Sequence, residues 1–159
     1  MTTILGNINL PLLSIPAYYI LSGIPHGYAV SLGVKGKLKD HDNRNPRSTR
    51  HLDSVKRRLT NAEYARWERA EACHRNHLEN MPLFVATVFA GLFAEQIVGE
   101  GAVGLNDFVV GWMAIRVLYT INYITAETMQ WSYLRSLLYF VSTGWAFYTI
   151  GRSAMIVGS

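Results

Sequence analysis

The sequence TNAEYARWERAEACHRNHLENMPLFVATVFAGLFAEQIV, residues 60–98, joins a charged segment to an apolar segment. Thr60 and Glu63 have the spacing of a capping box, which predicts that a helix begins near Asn61. Residues 81–94 contain no charged side chain, so nothing on that part of the helix favours water. The stretch therefore predicts one long helix whose second half crosses a membrane.

Three further apolar segments lie at residues 8–34, 108–126 and 133–157. A membrane span needs about 20 helical residues at ~1.5 Å each, and all of these segments come close to that length. The sequence therefore predicts an all-α protein, a bundle of four transmembrane helices with spans at about 8–34, 61–98, 108–126 and 133–157. Because 159 residues are too few for two separate cores, residues 1–159 are predicted to form a single membrane domain.

A soluble four-helix bundle is the structural alternative, since its helices can have similar lengths. Soluble helices carry a charged face, however, and residues 81–94 and 139–151 contain no charged residue. This pattern favours the membrane protein.

The charged residues are distributed unevenly along the chain. Twelve of the fifteen Lys and Arg residues fall between Lys35 and Arg75, within a net charge of +4. The basic loop at about residues 35–60 is therefore predicted to face the cytosol and to contact anionic headgroups. Nucleic-acid binding is the alternative for this loop, but beside four spans no nucleic-acid partner is expected.

Polar side chains inside predicted spans are candidates for function, because a charge in a membrane is costly unless it is paired or faces a cavity. On the second span, helical spacing places Arg69, Asn76 and Glu79 on one face together with Leu83. The third and fourth spans contribute Arg116, Tyr119, Tyr123 and Glu127, and Arg135, Ser136 and Tyr139.

Two interpretations of these groups remain open. Arg116 and Glu79 form an interhelical salt bridge in the simpler one. In the other, the arginines, the carboxylate, the amide and the phenols line a pocket for a polar ligand that carries both carboxylates and an amine. An arginine or hydroxyl next to a thiol would hold that thiol as a thiolate.

Metal and cysteine chemistry are weakly supported. His74, His77 and Glu79 lie close in sequence, but no further His or Cys ligand is evident and no metal site is predicted. Cys73 is the single cysteine, which excludes a disulfide scaffold, and no base is assigned to it. Cys73 is therefore predicted to be a packed free thiol.

Three stretches of the chain resemble sequence motifs of one family. The stretch RAEACHRNHLENMPLF at residues 69–84 resembles the signature of the MAPEG family, the membrane-associated proteins of eicosanoid and glutathione metabolism. Residues 116–123, RVLYTINY, resemble the third-helix motif of the leukotriene synthase branch. Residues 135–139, RSLLY, are similar to the start of the fourth helix in the prostaglandin synthase branch.

The resemblance implies a homotrimer that binds glutathione in clefts between protomers near the cytosolic face. Arg135 matches the arginine that stabilises the glutathione thiolate in the family. The residues implied in glutathione binding, together with those selected above from their spacing, are Arg69, Asn76, Glu79, Arg116, Tyr119, Tyr123, Ser136 and Tyr139.

The resulting functional hypothesis is a microsomal-type glutathione transferase or peroxidase, acting on a lipophilic electrophile in the endoplasmic reticulum or another endomembrane. Ala72 stands where several family members have an arginine that binds a glutathione carboxylate. This difference favours a glutathione-independent isomerase or cyclase of a hydrophobic metabolite as the alternative. A non-enzymatic member that binds lipid or a partner protein is the third possibility.

Overall fold

The computed structural model describes residues 8–37, residue 39 and residues 42–159, and within these ranges the regular structure is helical, with no strand. The described helices are α1 (Leu10–Val34), α2 (Thr49–Arg58), α3 (Asn61–Val98), α4 (Leu105–Thr125) and α5 (Met129–Val157). The prediction of an all-α chain is confirmed.

Side-chain caps fix where the helices begin. The capping box predicted for α3 is confirmed, since the Glu63 amide donates to Thr60 Oγ1 at 3.3 Å and the Thr60 amide donates to Glu63 Oε2 at 2.8 Å. α4 and α5 begin a few residues before the predicted spans at 108 and 133, because polar residues that no apolar pattern reveals extend both helices. At α5, Thr128 accepts a hydrogen bond from the Trp131 amide at 3.5 Å.

The prediction of a loop at residues 35–60 is wrong for its second half, where α2 forms. Ser48 caps this helix by accepting a hydrogen bond from the His51 amide at 3.2 Å. His51 and Val55 are buried, whereas most of the basic side chains around them are exposed. An apolar pattern could not reveal α2, because the helix is short and buries only one narrow side.

The long helix α3 contacts every other helix of the described chain. At one end, Lys35 after α1 pairs with Glu63 at the start of α3, with Nζ and Oε2 2.9 Å apart. At the opposite end, Arg152 Nη2 of α5 donates to the Ala102 carbonyl between α3 and α4 at 2.6 Å. The basic segment, the start of α3 and the start of α5 therefore lie at the same end of the molecule.

Aromatic side chains form the centre of the core. Tyr18 of α1, Phe84 of α3 and Phe108 and Trp112 of α4 are all fully buried. The ring centroids of Tyr18 and Phe84 are 4.9 Å apart, and those of Phe84 and Trp112 are 5.2 Å apart. Offset and edge-to-face aromatic pairs at these distances stabilise packing beyond the area they bury.

Two helices of the described chain, α3 and α4, are long and apolar enough to be candidate membrane spans. Serine, glycine, proline and aromatic side chains with polar tips lower the hydropathy of α1 and α5. Composition alone therefore does not identify these two helices as membrane spans. Large apolar residues are nevertheless exposed on all four long helices, for example Ile20, Phe93, Ile121 and Phe140. Such an apolar outer surface is suited to lipid.

Gly111 allows α4 to approach α5 closely, and replacing it by alanine is expected to destabilise the protein by about 1–3 kcal/mol. A Cβ atom at this position would overlap the Trp145 ring of α5, so the ring or the helix would have to shift. Thermal unfolding in detergent measures this effect. Gly144→Ala is the control, because its Cβ meets no atom within 4 Å; equal stability of the two variants would contradict the prediction.

Candidate functional site

Arg116 lies in the middle of α4, and its side chain is 0% exposed. Its Nη1 donates to Asn76 Oδ1 of α3 at 3.2 Å. Nε and Nη2 are buried without a hydrogen-bond partner, and Arg116 forms no ion pair with any residue that the structure describes. Since buried charged groups are normally paired, the two partnerless nitrogens mark Arg116 as a candidate functional residue.

Aromatic rings surround the Arg116 guanidinium. Its central carbon is 4.5 Å from the ring centroid of Trp112, 5.3 Å from that of Tyr119 and 5.9 Å from that of Tyr139 on α5. Cation–π attraction to these rings offsets part of the lost hydration, but the rings do not neutralise the charge. We call Asn76, Trp112, Arg116, Tyr119 and Tyr139 the Arg116 cluster.

A second guanidinium lies next to this cluster. The central carbon of Arg135, on α5, is 4.4 Å from the Tyr123 ring centroid of α4. The Tyr123 and Tyr119 centroids are 5.4 Å apart, which connects this pair to the Arg116 cluster. Five residues selected from the sequence are thus continuous with Arg116, namely Asn76, Tyr119, Tyr123, Arg135 and Tyr139.

A buried hydrogen-bond chain fixes the backbone of α4 at Arg116. The Thr120 hydroxyl donates to the Arg116 carbonyl at 2.8 Å. His77 Nε2 lies 2.8 Å from the same hydroxyl oxygen, and because that hydroxyl proton is already used, Nε2 donates. Tyr18 continues the chain on α1, with its hydroxyl 3.3 Å from His77 Nδ1. These hydrogen bonds connect the α4 backbone at Arg116 to α3 and α1.

Arg69 is a residue of α3 that lies outside the Arg116 cluster. Its side chain contacts the end of α4. Its Nε donates to the Ile124 carbonyl at 3.2 Å, and Nη2 is 4.0 Å from Glu127 Oε1. Arg66 reaches the same carboxylate at 3.4 Å. The Arg69 guanidinium therefore ties α3 to the last turn of α4, just after Tyr123.

Glu79 and Ser136 are exposed on the surface of the single chain. The Ser136 hydroxyl donates to the Ser132 carbonyl of its own helix at 3.4 Å. The salt bridge between Glu79 and Arg116 does not form, and Asn76 takes the place of the carboxylate. This occurs because the Asn76 side chain extends toward α4 while Glu79, almost one turn later, projects outward.

The histidines and the cysteine of α3 contact different neighbours. His74 Nδ1 is 2.7 Å from the Ser22 carbonyl, whereas His77 faces Thr120 and Tyr18. Among the described residues, no group of three candidate metal ligands comes together. Cys73 is buried and free, as predicted, with Sγ 4.0 Å from Thr120 Oγ1.

The sequence analysis missed Trp112 and Tyr18. Trp112 precedes Arg116 by four residues, so helical spacing alone could have placed it beside the guanidinium. Tyr18 belongs to another helix, and no local pattern links it to His77.

The model of the MAPEG family matches residues 10–155 of the 159 residues. No curated protein and no solved structure matches the chain.

Proposed function

Because the chain belongs to the MAPEG family, which includes membrane glutathione transferases and related enzymes, we propose that it is a membrane-bound enzyme that conjugates or reduces lipophilic electrophiles with glutathione. The observation that carries this proposal is the buried Arg116 guanidinium, whose Nε and Nη2 have no partner. A partly unpaired cation in a desolvated site favours a carboxylate, and glutathione has two.

The proposed site extends outward from Arg116. Arg116 binds a carboxylate, the phenols around it exclude water and Asn76 orients the guanidinium. Arg69 acts as a positioning residue, because it holds the end of α4 on which Tyr123 lies. The complete proposed glutathione site consists of Arg69, Asn76, Glu79, Arg116, Tyr119, Tyr123, Ser136 and Tyr139.

Arg135 is the proposed catalytic residue. Glutathione supplies a thiol whose thiolate form is the nucleophile. The Arg135 guanidinium, held over the Tyr123 ring, would stabilise the negative sulfur and lower the barrier by electrostatic preorganisation. Tyr123 also fixes the direction of Arg135, and positioning of this kind contributes to the rate.

The proposed assembly is a homotrimer in which α1, α3, α4 and α5 cross the membrane. Glu79 and Ser136 are exposed in the single chain, which supports a cleft that a neighbouring protomer closes. Glu79 would there accept a hydrogen bond from the ligand's ammonium group. The apolar outer surface supports delivery of the electrophile through the lipid, and the endoplasmic reticulum is the proposed membrane.

Glutathione titration of the purified full-length protein tests this proposal. We expect saturable binding by calorimetry at millimolar concentration or below, together with conjugation of a lipophilic aryl chloride. S-methylglutathione is expected to compete, since it retains both carboxylates. Absence of binding at millimolar glutathione would contradict the proposal.

A glutathione-independent isomerase or cyclase of a hydrophobic metabolite is the second candidate. Ala72 favours it, because a methyl group stands where several family members have a carboxylate-binding arginine. In that enzyme Glu79 or a tyrosine would carry out proton transfer. Isomerisation without added glutathione would identify this activity.

A further inference from the structure

A cavity of about 530 Å³ lies away from the Arg116 cluster, between the last turns of α1, the helix α2 and the charged half of α3. No residue of the proposed glutathione site lines it. Its volume falls within the ~300–1,000 Å³ typical of sites for small organic ligands and exceeds what a single inorganic ion needs. The cavity is at the end of the molecule that carries the basic segment.

The charged lining of this cavity leaves a positive excess. Arg47, Arg58 and Arg75 line it together with the carboxylates of Glu68 and Glu71. Three guanidinium groups therefore face two carboxylates, and one of these already has a partner, because Glu71 Oε1 lies 2.8 Å from His26 Nδ1. Within the described chain, Arg47 and Arg75 form no ion pair.

Contacts between α1 and α3 make this wall of the cavity rigid. His74 Nδ1 donates to the Ser22 carbonyl at 2.7 Å, and the rings of His26 and His74 stack with centroids 5.1 Å apart. The His26–Glu71 contact joins the same two helices. These contacts fix the α1–α3 wall of the cavity, beside which Arg75 of α3 lies.

Part of the remaining lining is apolar, and histidine and tyrosine side chains make up the rest. Val30 and Val34 of α1, Val55 of α2 and Trp67 of α3 line the cavity. Further back along α1, Ile20 and Ile24 are exposed on its outer surface. A ligand with a charged head and a hydrocarbon tail could place the head among the arginines and extend the tail along α1.

We propose that this cavity binds the phosphate headgroup of an anionic membrane lipid. Basic pockets between helices at the cytosolic membrane face are suited to such headgroups, and arginine binds phosphate oxygens bidentately. The exposed basic residues of α2 would lie at the same interface. A free phosphate anion has the same head chemistry but lacks the tail for which the apolar wall is suited.

The test uses full-length protein in neutral phosphatidylcholine nanodiscs that contain a low mole fraction of phosphatidic acid. Native mass spectrometry measures bound phosphatidic acid. The cavity variant Arg47→Gln/Arg75→Gln is expected to bind about 25-fold less tightly, because losing each guanidinium–phosphate hydrogen bond costs roughly a factor of five. The matched control, Arg50→Gln/Arg57→Gln, removes the same charge from α2 outside the cavity and is expected to lose clearly less affinity than the cavity variant.

Three results would overturn the proposal. Equal losses in both double variants would indicate general surface attraction. Saturation of the site by inorganic phosphate or glycerol phosphate with the lipid's affinity would indicate a soluble anion. Displacement of the lipid by glutathione would assign the cavity to glutathione. The lipid-binding test does not depend on whether glutathione binds at Arg116. Circular dichroism and unfolding temperature verify that each variant is folded.

Discussion

The variant Arg116→Met is expected to lose glutathione binding by about 100-fold or more while remaining at least as stable as the wild type. Both effects have the same origin. Within the part of the chain that the structure describes, Arg116 is fully buried with one hydrogen bond, to Asn76, and two unpaired nitrogens, so the apo protein bears the cost of its desolvation. Methionine fills similar space without a charge, and replacing a poorly paired buried ion by an apolar side chain is often neutral or stabilising.

Calorimetric titration with S-methylglutathione and thermal unfolding in detergent measure the two effects. Arg69→Met is the matched control, because it removes an arginine whose Nε is already bonded to the Ile124 carbonyl. For that variant we expect lower stability and a smaller loss of affinity. If Arg116→Met instead destabilises the protein and leaves the affinity unchanged, Arg116 has only a structural role.

The variant Arg135→Leu is expected to lose the thiolate signal and to lower turnover by about 100-fold, without losing the ligand. Arg135 lies over the Tyr123 ring at 4.4 Å, at the edge of the Arg116 cluster, so it can act on the sulfur while Arg116 holds a carboxylate. Ultraviolet absorbance on adding glutathione measures the thiolate. Binding of S-methylglutathione, which has no ionisable thiol, is expected to be unchanged.

Arg152→Leu provides the control on the same helix. Arg152 also lies over a tyrosine ring, that of Tyr148 at 5.9 Å, but at the opposite end of α5. This variant is expected to keep the thiolate signal, and Arg135→Lys is expected to restore part of it through its positive charge. An unchanged signal in Arg135→Leu would exclude the proposed role of Arg135.

The two variants separate binding from catalysis. Loss at Arg116 is expected in the dissociation constant, and loss at Arg135 in thiolate formation and turnover. A glutathione-independent enzyme would show neither pattern, because its activity would persist in the absence of the tripeptide.

The sequence by itself determined the helices and the residue types of the candidate site. The capping box at Thr60 and the apolar stretch after it predicted a helix at about 61–98, where α3 forms, because capping and helical periodicity act between residues three or four positions apart. The same short-range rule placed Arg116, Tyr119 and Tyr123 on one side of α4. It also missed α2, whose ten residues bury too little to produce an apolar pattern.

Only the tertiary structure decided which of these groups meet. Arg116 bonds Asn76 rather than Glu79, Arg69 is occupied by the Ile124 carbonyl, and the basic cavity forms between α1, α2 and α3. These contacts depend on the crossing angle of each helix pair and on the rotation of each helix about its axis. Both are set by packing between segments that are distant in the sequence, such as those carrying Tyr18 and Trp112, so no local pattern in the sequence contains them.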